Sequence, residues 1–113
     1  MKNKNKGCCC ENRVCLCSSD GVLGILSKKW TMCIINHLGE REEGYRFNEL
    51  EGSVEGISPK SLSSRLKDLK REGLVEREVK DSRPPEVRYR LTKDGKKLDQ
   101  KLKPLIKWIH ERR

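Results

Sequence analysis

The stretch Gly56–Arg77, "GISPKSLSSRLKDLKREGLVER", holds a complete helix and the opening of a strand. Ser58 is a good N-cap. Pro59 suits the first helical position, where its missing N–H has no helical partner to lose. Leu62, Leu66 and Leu69 follow at i, i+4 and i+7 and form one buried stripe. Lys60, Ser64, Lys67 and Arg71 then face away, with Ser61, Arg65 and Asp68 along one flank. Gly73 ends the helix. The spacing predicts a well-capped amphipathic helix over about residues 58–72 that shows small and basic side chains to the outside.

Downstream, "LVEREVK" alternates, with Val75, Arg77 and Val79 on one side. "DSRPPE" is a turn, because proline supplies no ladder donor. "VRYRL" returns with Val87, Tyr89 and Leu91 inward and Arg88 and Arg90 outward. Thr92 can cap a last helix with an apolar face of Leu98, Leu102, Leu105, Ile106 and Ile109. Pro104 inside it predicts a bend or a division.

Upstream, Phe47, Leu50 and Val54 mark a short helix closed near Gly52 or Gly56. Trp30, Ile34, Ile35 and Leu38 mark another from about Lys29 to Leu38. Val22, Leu23, Ile25 and Leu26 mark a first one, capped by Ser19 or Asp20. Residues 1–18 have neither period and read as a flexible, cysteine-rich arm. The remaining 19–113 form one domain. Four helices, a hairpin and a last helix outline a mainly α fold with a small β-hairpin wing, a winged helix-turn-helix.

With 113 residues, 34% hydrophobic and 38% charged, the core must be small. A second copy of the chain is expected to cover part of the apolar surface. The net charge is +9, and its placement matters more than its sum. Residues 40–55 carry two Lys/Arg against six Asp/Glu, whereas residues 56–92 carry ten against six. A basic surface of this kind suits a polyanion such as nucleic acid. No apolar run approaches a membrane span, and no apolar signal core follows "MKNKNKG", so a cytoplasmic protein with no membrane partner is expected. No phosphate loop, carboxylate pair or nucleophile motif points to an enzyme. His37 and His110 lack recognisable partners and read as ordinary surface or packing residues.

"KKWTMCII" (Lys28–Ile35), "YRFNEL" (Tyr45–Leu50), the Gly56–Arg77 stretch and "RPPEVRYRLTKDGKKL" (Arg83–Leu98) together resemble the HxlR-type transcriptional regulators. The third stretch is the most specific. The likeness runs from about Cys17 to the C-terminus. It implies a homodimeric, DNA-binding winged helix whose dimer contacts come mainly from the N- and C-terminal helices. Several members of that family sense oxidants or electrophiles through a cysteine just before the first helix, where Cys17 stands. The chain departs from the pattern at Lys28, which replaces a frequent glycine, and in a longer, more acidic loop from Gly39 to Tyr45.

In a helix-turn-helix the N-terminal half of the second helix enters the major groove. Here that half carries Ser58, Lys60, Ser61, Ser64 and Arg65. Small serines allow close approach, and Arg65 can offer guanine two donors. The wing, about residues 80–88, brings Lys80, Arg83 and Arg88 toward the DNA backbone.

Five of the six cysteines, Cys8, Cys9, Cys10, Cys15 and Cys17, crowd the arm. Lys6 and Arg13 favour their thiolates. Three roles stay open: a redox switch at Cys17 resolved by Cys15 or Cys10, a metal or iron–sulfur cluster held by the five, and a tail with no chemistry. The spacing lacks the paired C-x2-C of structural zinc sites. The alternative function is therefore a metal- or iron–sulfur-binding redox protein that uses its winged helix for protein contacts. Cys33, in the apolar second helix, is expected to be a small buried thiol.

Overall fold

The computed structural model describes residues 21–112. The helices are α1 (Gly21–Leu26), α2 (Thr31–Leu38), α3 (Phe47–Ser53), α4 (Pro59–Arg71) and α5 (Lys93–Glu111), with strands β1 (Val75–Lys80) and β2 (Glu86–Leu91) between α4 and α5. The arm and all five of its cysteines lie outside the described residues, as do Ser19 and Asp20.

α4 forms as its signals require. The Ser58 hydroxyl accepts from the Ser61 N–H at 3.1 Å, and Pro59 opens the first turn. Leu62, Leu66 and Leu69 are buried. Past the end, Gly73 takes φ +76°, a conformation that only glycine adopts without steric cost. This lets the Leu74 N–H reach the Leu69 carbonyl at 2.9 Å and the Gly73 N–H reach Lys70 at 3.0 Å. The pair is a Schellman closure, with Leu69 and Leu74 both buried as its apolar clasp.

The hairpin pairs Val75 with Leu91, Arg77 with Tyr89 and Lys80 with Glu86. Tyr45 adds an isolated bridge on the other edge of β2, exchanging two 2.8 Å backbone bonds with Tyr89. The core gathers one stripe from each layer: Ile34, Ile35 and Leu38 of α2, Leu50 of α3, the α4 leucines, Val75, Leu91, and Leu102 of α5.

Several expectations need correction. α2 begins at Thr31, not Lys29, because Trp30 sits at φ 80° and breaks the helical run. α3, by contrast, ends at Ser53 beside Gly52, with the left-handed turn at Gly56, as expected. Pro104 does not divide α5, which runs unbroken through it. Gln100, whose carbonyl loses its helical donor, and Pro104 are both exposed, so water can serve that carbonyl. Cys33 is exposed, because the α2 core face is taken by Ile34, Ile35 and Leu38.

α5 runs antiparallel to α2. A Cβ on Gly39 would strike the Asp99 carboxylate, and Lys103 Nζ donates to Asn36 Oδ1 at 2.7 Å. Beyond Leu102 only Ile106 still packs against the core. Leu105, Trp108 and Ile109 are 46, 54 and 47% exposed. The α2–α5 register brings Met32, 42% exposed, level with this end.

Candidate nucleic-acid interface

Because the leucine stripe pins α4 to the core, its opposite side must face solvent. Ser58, Lys60, Ser64, Lys67 and Arg71 are exposed there and Ser61 is half-buried. No acidic side chain lies on that face. Among the described residues Lys60 and Lys67 take no carboxylate partner.

The flank behaves differently from its expected place at the edge. Asp68 is buried, turned toward the link between α1 and α2. Lys28 Nζ stands 3.2 Å and Arg65 Nη2 3.4 Å from its Oδ2, and Arg71 Nη2 stands 3.0 Å from its Oδ1. Burial pushes the Asp68 carboxyl up, but the three cations outweigh it and hold the group below the usual range. Arg65 is drawn in with it. Its side chain is 19% exposed, and its Nε is buried without a hydrogen-bond partner.

The wing base is built on Glu86. Arg88 Nε donates to this carboxylate at 2.6 Å and Arg46 Nε at 3.1 Å. These bonds hold Glu86 below the ordinary carboxylate range. Arg88 also donates to the Gly44 carbonyl at 3.3 Å, so it braces the wing from inside and does not project from it. Lys80 and Arg83 are exposed. At the tip, Ser82 Oγ donates to the Pro84 carbonyl at 2.8 Å. A cleft of about 430 Å³ runs between the wing and the start of α3, with Arg46, Asn48 and Arg83 on its walls.

The structure thus brings Ser58, Lys60, Ser61 and Ser64 to one open face, and Lys80 and Arg83 to the outer wing. It places Arg65 and Arg88 in internal ion pairs. Sequence reasoning missed Lys28, Arg46 and the burial of Asp68. The Arg65-Asp68-Arg71 spacing of i, i+3, i+6 was a visible signal for part of this cluster. Lys28 has no local signal. Among the described residues no group of His, Cys, Asp or Glu is placed to hold a metal. Although Cys33 is exposed, desolvation by its neighbours raises its thiol above the ordinary range, away from the reactive thiolate.

The geometry agrees with comparisons to known proteins. The HxlR-like helix-turn-helix family model matches residues 25–113. The HTH-type transcriptional regulator YvaP of Bacillus subtilis is 39% identical over 87 residues, 77% of this chain and 79% of that protein. A crystal structure described as an HxlR family transcriptional factor from Thermoplasma volcanium superposes with a TM-score of 0.75 at 39% identity, covering 86% of this chain and 85% of that one. The reduced form of the B. subtilis transcriptional regulator YodB gives 0.68 at 34% identity, covering 75% and 81%. YodB also has diamide-treated and quinone-bound structures.

Proposed function

This chain belongs to the HxlR-like helix-turn-helix family of transcriptional regulators, and from that we propose that it is a cytoplasmic homodimer binding specific DNA through α4 and the wing. The observation that carries the reading is the exposed face of α4: capped, free of acids, and lined by Ser58, Lys60, Ser61, Ser64 and Lys67. Small residues admit the backbone to the groove floor, and the lysines meet phosphates. Arg65 reads a guanine once it leaves Asp68. Arg83 follows the DNA backbone from the wing.

The exposed Leu105, Trp108 and Ile109 support the dimer, since isolated domains seldom leave so much apolar surface on one helix end. Pairing there, with α1 of the partner, sets two reading helices about one DNA turn apart. Residues 1–18 form the cysteine arm of this regulatory domain. Cys17 switches it by oxidation, with Cys15 or Cys10 resolving. The diamide-treated and quinone-bound forms of YodB favour this over a metal role.

Selection of bound duplexes from a random pool tests the DNA reading. A defined, two-fold related motif is expected, and Arg65→Ala should relax preference at one position of each half-site. Recovery of no motif would sink it.

A further inference from the structure

We propose that Asp68 is a positioning residue that sets sequence discrimination by withholding Arg65 from the DNA backbone. The inference rests on α4 being the DNA-reading helix. Of the three cations around Asp68, Lys28 and Arg71 reach water with side chains 46 and 65% exposed, whereas Arg65 is 19% exposed. The free protein therefore holds Arg65 folded against the carboxylate, not extended toward a groove.

Releasing Arg65 strands no charge, because Lys28 and Arg71 still neutralise Asp68. The exchange is then decided by what Arg65 gains outside. A lone phosphate oxygen trades one anion for another at a less enclosed place and repays little. A guanine edge supplies two acceptors in the fork geometry of the guanidinium. The held state is also incomplete, since the Arg65 Nε–H has no acceptor. Arg65 thus stays on Asp68 over unrelated sequence and leaves it only where a guanine accepts both donors. Discrimination comes from what the wrong sequence fails to offer.

The test measures dissociation constants at fixed salt for a selected duplex and a scrambled one of equal length. The proteins are wild type, Asp68→Asn, Arg65→Ala and the double variant. Asp68→Asn should tighten binding to scrambled DNA and lower the selected-over-scrambled ratio by about five- to tenfold. In the Arg65→Ala background it should change that ratio little. If Asp68→Asn tightens scrambled binding equally in both backgrounds, Asp68 acts as bulk negative charge and the proposal fails. If it leaves the ratio unchanged, the proposal also fails. A wild type with no preference to begin with would instead remove the DNA reading beneath it. Should Asp68→Asn fold poorly, the Arg65 Nε–H resonance of the wild type decides the matter. It should stay in place on scrambled DNA and shift on the selected duplex, and equal shifts on both would overturn the proposal.

Discussion

Lys28 and Asp68, forty residues apart in sequence, meet with Nζ 3.2 Å from Oδ2. The ion pair ties the α1–α2 link to the flank of α4. Every cation on that flank is organised around one carboxylate, so the charge state of Asp68 bears on both stability and the pose of α4.

The Asp68 carboxyl is held below its ordinary range in the folded protein. A lowered folded value means that its stabilising contribution is complete above the unfolded value, about 3.9. That contribution is lost as pH falls through the lower folded value. Asp68→Asn should therefore melt below wild type at neutral pH, and the gap should close under strong acid. Thermal melts at several pH values check this. A gap that is constant with pH would show that the carboxylate charge is not what stabilises.

The two wing arginines should separate. Arg83→Ala is expected to weaken binding about equally on all duplexes and to reduce the salt slope by about one unit. Arg88→Ala removes the bonds to Glu86 and Gly44, so it should lower the melting temperature as well. Salt titrations and melts on both variants supply the comparison.

The proposed dimer seam can be tested without touching the core. Leu102 is 7% exposed and belongs to the core, so charging it would unfold the chain. Leu105→Asp with Ile109→Asp alters only exposed positions. The pair should sediment as a monomer that still melts cooperatively. Wild type sedimenting as a monomer at micromolar concentration would contradict the seam.

The proposed redox switch at Cys17 has a direct assay. Diamide should change wild-type DNA binding, dithiothreitol should restore it, and Cys17→Ser should not respond. A Cys17→Ser protein that responds like wild type would move the sensor to another cysteine.

Thr31 is fully buried and its hydroxyl has no partner. An unsatisfied buried hydroxyl is costly, and replacing it by a methyl group of the same shape relieves that cost. Thr31→Val should stabilise by about 1 kcal/mol in denaturant melts, and a loss of stability would mean that the hydroxyl finds a partner in solution.

The contrast between Leu66 and Asp68 shows how far local pattern reaches. Leu66 falls in the leucine stripe, and its burial follows from helical period alone. Asp68 lies two residues on, at a position the same wheel leaves on the flank. Its burial depends on Lys28, which the chain brings up from before α2. Trp30 similarly breaks the expected start of α2, and Tyr45 joins the sheet edge from within a segment that carries no strand period.

By itself the sequence determined the elements, the caps of α4 and α5, the hairpin and the buried leucine stripe of α4. Those depend on interactions within a few residues: a hydroxyl on a nearby N–H, a glycine at positive φ, a stripe of leucines. Only the tertiary structure decided which of the outward cations are free. Lys60 and Arg83 remain open to solvent, while Arg65 and Arg88 are claimed by Asp68 and Glu86. Pairing of that kind depends on distance through space, and Asp68 is buried only because helices from distant parts of the chain close around it.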